Sequence, residues 1–167
     1  TYWHENGQKR EEGNYKSDSR EGKWTRWYEN GQKFSEGKRK NGAEGKWTYW
    51  YQIGKKREAG SYKNGFPEGK WTRWHDNGQK KAEGSYKNGK QEGKWTYWYE
   101  NGQKRVERSH KGNKAEGKWT YWYENGQKSA EGNYKNDEQE GKWTTWYENG
   151  RKRWEGNYKN GKEVIMK

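Results

Sequence analysis

The chain has no cysteine and no leucine, and only one proline, one methionine and two phenylalanines in 167 residues. Valine and isoleucine together amount to Ile53, Val106, Val164 and Ile165. Without cysteine there are no disulfides and no thiolate metal sites, and the redox compartment stays open. Without aliphatic side chains the usual globular core cannot form. No segment approaches the roughly 20 consecutive apolar residues of a membrane-spanning helix, and no signal-peptide pattern is visible. Chemistry is equally sparse. His4, His75 and His110 each replace a tyrosine of the pattern described next, and Asp18, Asp76 and Asp137 lie in or near turns. No Ser-His-Asp set can be gathered from neighbouring segments, and no glycine-rich turn leads from a strand into a helix as a phosphate loop requires. Neither an enzyme nor a metal or cofactor is expected.

Aromatics and charge fill the gap. Trp and Tyr number 14 each, charged residues make up 37% of the chain, and the formal net charge is +13. High charge with few aliphatics is also the composition of disorder, but disordered segments are poor in aromatics. Here the aromatics recur. Trp24, Trp47, Trp71, Trp95, Trp119 and Trp143 are spaced by 23 or 24 residues. Trp3, Trp27, Trp50, Trp74, Trp98, Trp122 and Trp146 keep the same step. A fixed period of this size signals a repeat architecture. The array reads as a truncated unit 1–20, then 21–43, 44–67, 68–91, 92–115, 116–139 and 140–163, with a tail 164–167.

Each unit runs E-G-K-W-T-x-W-Y-E-N-G-Q-K, a charged stretch, then G-x-Y-K-N. Asn-Gly between two strand-like runs predicts a two-residue type I′ hairpin turn. Asn30-Gly31, Asn77-Gly78, Asn101-Gly102, Asn125-Gly126 and Asn149-Gly150 fit, and Ile53-Gly54 is a poorer version. A looser loop is expected after each second strand, as in 63–67, and the one-residue deletion near Asn41 falls in such a loop. Trp, Tyr and Thr favour strands, and no apolar stripe of helical period appears, so no helix is expected.

The unit resembles the MORN repeat in its bacterial variant form, often labelled YwqK-type and antitoxin-like. That resemblance implies an all-β protein of stacked hairpins in one elongated, twisted antiparallel sheet. It also implies scaffolding, partner binding or membrane association, and no catalysis by the repeats themselves.

With a two-residue turn at Asn30-Gly31, Trp27 faces Phe34 and Trp24 faces Gly37. Side chains alternate, so Trp24, Trp47, Trp71, Trp95, Trp119 and Trp143 share a face with Tyr62, Tyr86, Tyr134 and Tyr158. This is the expected packing face, each Trp shielding a cross-strand glycine. The other face carries Trp3, Trp27, Trp50, Trp74, Trp98, Trp122 and Trp146. Opposite them stand Arg10, Phe34, Arg57, Lys81, Arg105, Ser129 and Arg153. An Arg laid over a Trp is a cation–π pair, which makes this row a candidate ligand platform. Rows of Lys and Glu are expected to neutralise each other in large part.

Two function classes follow. The first is a non-catalytic scaffold for protein–protein contact or self-assembly; the under-buried aromatic face and the open N-terminal edge are expected to drive self-association, as an isologous dimer or as end-to-end stacking, with the dimer favoured because the C-terminal tail blocks stacking. The second is a module for an anionic polymer or surface, an acidic polysaccharide or anionic lipid, using the Trp, Arg and Lys rows. A toxin-neutralising role rests on the resemblance alone. Nucleic acid is not expected, since no motif for it is present. Bacterial cytoplasm and cell surface both stay open. The pattern begins mid-strand at Thr1, so the natural chain is expected to extend upstream, with room there for a signal peptide or anchor. The aliphatic run Val164-Ile165-Met166 is expected to cap the last unit near Trp143 and Tyr158.

Overall fold

The computed structural model describes residues 1–165, and every regular element in them is a strand. Fifteen strands pair antiparallel in strict chain order in one open sheet. The strands carrying E-G-K-W-T are β3 (Ser19–Trp27), β5 (Ala43–Trp50), β7 (Phe66–Trp74), β9 (Lys90–Trp98), β11 (Lys114–Trp122) and β13 (Glu138–Trp146). Alternating with them are β2 (Lys9–Lys16), β4 (Lys33–Lys40), β6 (Lys56–Lys63), β8 (Lys80–Lys87), β10 (Lys104–Lys111), β12 (Lys128–Lys135) and β14 (Lys152–Lys159). Short strands β1 (Tyr2–Trp3) and β15 (Lys162–Val164) stand at the two edges. Contacts divide the chain into two units, residues 1–79 with 86–89, and residues 80–85 with everything from 90 onward. Each is built on the same plan.

The two kinds of turn are the reverse of the sequence expectation. The tight type I′ turns are at the K-N-G loops. Asn64 and Gly65 both have positive φ, +52° and +81°, and the flanking Lys63 and Phe66 pair directly. At the E-N-G-Q loops only the glycine is left-handed, Gly31 at +80°, while Asn30 is not. The Gly31 N–H donates to the Tyr28 carbonyl (3.0 Å) and the Tyr28 N–H to the Gln32 carbonyl (2.8 Å). This is the longer loop, a turn closed by a left-handed glycine that inserts one extra residue. Register shifts there: Trp27 pairs with Lys33, and Arg26 pairs with Ser35. Phe34 is left as the bulged residue. The deletion near Asn41 does lie in a turn, where Arg39 pairs with Ala43.

A second bulge recurs just before each Trp. On β3 the partners of β2 jump from Thr25 to Glu21 as β2 advances from Glu12 to Asn14. Gly22 supplies the positive φ this needs, +75°. The bulge turns the Trp24 ring onto the preceding strand. A Cβ on Gly13 would lie 2.3 Å from the Trp24 ring, and one on Gly37 would lie 2.2 Å from Trp47. Except at Trp119, each Trp of the row therefore shields the glycine of the strand before it, Trp47 over Gly37 rather than Trp24 over Gly37. Its indole N–H donates to the carbonyl one residue past that glycine, Asn14 (3.2 Å) or Lys38 (2.9 Å) in the first unit. In the second unit the acceptors are Ser85 (3.0 Å) and Asn133 (3.1 Å). A single layer buries these rings because they lie flat on bare backbone.

Both ends of the strands are laced to the next hairpin. At one end the Tyr28 hydroxyl donates to the Trp50 carbonyl (2.9 Å) and Tyr123 to Trp146 (2.8 Å). The amides of Asn30 and Asn125 donate to the carbonyls of Gln52 and Glu148, both at 2.9 Å. His4 makes the tyrosine's bond with its ring, Nε2 to the Trp27 carbonyl at 3.1 Å, so here histidine stands in for tyrosine. At the other end carboxylates cap the tight turns, Glu44 accepting from the Asn64 N–H (3.0 Å) and Glu116 from Asn136 (3.0 Å). This lacing fixes each hairpin against the next, as repeat arrays require.

The described part of the tail, Val164 and Ile165, does not cover the last unit. Val164 and Ile165 are 43% and 85% exposed, and Met166 and Lys167 lie outside the described residues. Trp154 of β14 does the covering. A Cβ on Gly156 would meet its ring at 2.2 Å, so this glycine is shielded from within its own strand.

Candidate functional site

The Trp face holds the six-ring row, with relative exposure from 0% at Trp95 to 9% at Trp119. Tyrosines meet these rings edge-on: Tyr62 against Trp71 at 5.1 Å, Tyr134 against Trp143 at 5.2 Å, and Tyr158 against Trp143 at 6.4 Å. Tyr86 meets Trp71 at 6.0 Å. The row is thus covered within one chain. A second copy is not needed to bury it.

Between the Trp rings run two further rows that differ from hairpin to hairpin. One reads Arg26, Tyr49, Arg73, Tyr97, Tyr121 and Thr145, and the other Glu11, Ser35, Glu58, Ala82, Val106, Ala130 and Trp154. In the first unit they form part-buried ion pairs. Glu11, 6% exposed, accepts from Arg20 (2.7 Å) and Arg26 (3.0 Å), and Glu58 accepts from Arg73 (3.2 Å) and Arg57 (3.3 Å). Burial pushes the Tyr49 hydroxyl up, helped by its bond to Tyr62 at 3.2 Å. In the second unit burial pushes Tyr121 up to about 12. There Arg108 stands where other units have glycine, its guanidinium 4.3 Å from the Tyr97 ring centre and 5.3 Å from that of Trp119.

Toward β14 the face opens into a depression of about 700 Å³. Tyr121, Tyr134, Trp143, Trp154 and Tyr158 wall it, with Arg153 and Glu163 beside them. It exists because Ser129, Ala130 and Thr145 are small. Thr145 replaces the tyrosine or arginine of earlier hairpins, and Ser129 replaces a long cation. The sequence carries its signal as breaks in the repeat, at Thr145 and at Trp154.

The opposite face is built differently from the expected platform. Trp27, Trp50, Trp74, Trp98, Trp122 and Trp146 are half-buried and Trp3 is 56% exposed. The cations over them are lysines. Lys9 lies 5.8 Å from the Trp27 ring, Lys33 5.6 Å from Trp50, Lys80 5.6 Å from Trp98, Lys104 5.7 Å from Trp122 and Lys128 5.9 Å from Trp146. The bulge at the E-N-G-Q loop moves Arg10, Arg57, Lys81, Arg105 and Arg153 out of that pairing, because a one-residue slip exchanges faces. Arg57 lies instead over Phe34 (5.5 Å) and Tyr49 (5.7 Å), and Arg153 over Tyr147 (5.7 Å). Arg10, Lys81 and Arg105 are exposed.

The same lysines clamp a carboxylate. Lys33 and Lys23 both reach Glu36 Oε2, at 2.8 and 3.3 Å. Lys104 and Lys94 both reach Glu107 Oε1, at 2.7 and 2.9 Å. Glu131 and Glu155 are held likewise. The Lys33 bond holds Glu36 below the usual carboxylate range. For Glu107 burial acts to raise the value, and the bonds from Lys104 and Lys94 outweigh it. Glu155, bonded by Lys152 and Lys142, is drawn down to about 2. A carboxyl that ionises more readily folded than unfolded adds stability above the ordinary value of 4.5 and loses it as pH falls through the folded value. The melting temperature is therefore expected to fall progressively from about pH 5 toward pH 2, and Glu155→Gln to remove the lowest-pH part of that loss. Thermal melts across this range check it.

An open antiparallel sheet of repeated hairpins, framed by Trp on Gly and laced at both ends, is a repeat scaffold or binding module. The MORN repeat variant family matches residues 1–17, 20–41, 67–88, 91–111, 115–136 and 139–162, and the chain belongs to that family. No curated protein matches it. The stretch between the matches ending at 41 and starting at 67 contains the hairpin with Ile53-Gly54.

Proposed function

We propose that the chain is a non-catalytic scaffold that binds a protein partner on its Trp face. The aromatic depression of about 700 Å³ carries this reading. Trp, Tyr and Arg are the residues that dominate binding energy at protein interfaces, where they fill or line well-packed pockets, and here they wall a recess held by a rigid frame. The frame positions repeat from hairpin to hairpin, while the rows between the Trp rings vary. That arrangement suits a constant support with a partner-specific surface. The occupant is a different protein rather than a second copy, because one chain already buries its Trp row. A toxin-neutralising role would be a special case, with a toxin as the docked protein. The polyanion reading draws less support, since the lysines of the opposite face are largely engaged by glutamates.

A photo-crosslinking residue at Gln139 or Arg153, compared with one at Lys118 or Lys142 on the opposite face, tests the proposal in cells. Crosslinks to another protein from the first pair only are expected. Crosslinks from the second pair only would overturn it, and crosslinked homodimers from Gln139 would assign the face to self-association.

A further inference from the structure

One hairpin breaks the carboxylate clamp. In β5–β6 the register places Ala59 opposite Thr48 and Lys56 opposite Trp50, as Glu36 stands opposite Thr25 and Lys33 opposite Trp27 in β3–β4. Lys46 and Lys56 thus hold the positions of Lys23 and Lys33, and the carboxylate between them has been replaced by a methyl group. Among the described residues neither lysine has an ion-pair partner. The nearby carboxylates are committed elsewhere. Glu44 caps the turn at Asn64 (3.0 Å), and Glu58 faces the other side with Arg57 and Arg73.

The intact clamps state what the broken one lacks. In three of them two ammonium groups converge on a single carboxylate oxygen, at 2.8 and 3.3 Å on Glu36, 2.7 and 2.9 Å on Glu107, and 2.8 and 3.2 Å on Glu131. A threonine hydroxyl adds a third contact, Thr25 to Glu36 at 3.3 Å and Thr120 to Glu131 at 3.3 Å. The third hairpin keeps Lys46, Lys56 and Thr48 on the same backbone register. The register sets two lysines at the positions that flank a carboxylate in the intact clamps, with none at Ala59, on a protein of net charge +13.

We propose that Lys46, Lys56 and Thr48 form a binding site for an external carboxylate, which takes the place of the missing glutamate at Ala59. The carboxylate is a free small acid or an acidic side chain of a docked protein, and both present the same two oxygens. The site lies on the face opposite the aromatic depression and does not depend on the reading given for it.

The test is a titration of the full chain with acetate replacing chloride at constant ionic strength, followed through the lysine side-chain nitrogen resonances. Lys46 and Lys56 are expected to shift along a saturating curve, while Lys23 and Lys33, already clamped, shift far less. Ala59→Glu, which restores the repeat, is expected to abolish the saturating shift. It is also expected to raise the melting temperature by about 2 °C, which confirms that the variant folds. A short peptide with one Glu flanked by Gly and Ser forms the second arm. Half-saturation about tenfold below that of acetate assigns the site to protein side chains, and equal values assign it to free acids. Uniform, non-saturating shifts at all lysines, or unchanged saturation in Ala59→Glu, would overturn the proposal.

Discussion

Trp95→Ala is expected to be the most damaging single truncation in the chain, at about 3–5 kcal/mol. Its side chain has 0% relative exposure. The indole lies on Gly84, with ring atoms 2.2 Å from where a Cβ would be, stacks on Tyr97 at 6.1 Å, and donates to the Ser85 carbonyl at 3.0 Å. Truncation removes the ring, leaves that carbonyl short of a donor and uncovers the bare backbone at Gly84. At about 2–4 °C per kcal/mol for a chain of this size, the melting temperature should drop by about 10 °C. Trp122→Ala on the opposite face removes a half-buried ring and should cost about 1–2 kcal/mol. Parallel thermal melts of the two variants check the contrast, and equal losses would contradict the assignment of faces.

Gly84→Ala tests the same contact from below. The added methyl would lie 2.2 Å from Trp95 Cδ2, so the ring must lift. The expected cost is about 1–3 kcal/mol. Gly93→Ala is the matched control: its φ of +67° also penalises a side chain, but nothing lies within 4 Å. Both variants lose stability, and only Gly84→Ala should displace the Trp95 indole N–H resonance. The chain contains one natural case. Arg108 occupies the glycine position under Trp119, and Trp119 is the most exposed ring of its row at 9%.

The repeat and its all-strand character were legible because both depend on spacing alone. Trp recurring every 23 or 24 residues and Asn-Gly between strand-like runs point to one answer. The turns were not legible at the level of type. Asn-Gly occurs in both loops, and a dipeptide does not state how many residues the loop holds. Glu29 and Asn30 enter the turn ahead of Gly31, which lengthens it by one residue, and that single insertion carried Arg57 and Arg153 to the other face. The bulge at Gly22 had a signal too, a Gly-Lys pair before each Trp of the buried row, but its consequence is a lean of the ring across strands that alternation cannot express. The depression and the broken clamp follow from departures at Thr145, Trp154 and Ala59, visible only once the frame shows what the regular residue would be doing.

The most direct measurement of the whole account is hydrogen exchange at the indole N–H groups, resolved by NMR. Trp24, Trp47, Trp71, Trp95, Trp119 and Trp143 are hydrogen-bonded rings, with N–H to carbonyl distances of 2.9–3.2 Å. These six are expected to exchange far more slowly than Trp27, Trp50, Trp122 and Trp146 of the opposite face. Fast exchange at all of them, or protection of the second set instead, would contradict the frame on which both binding proposals stand.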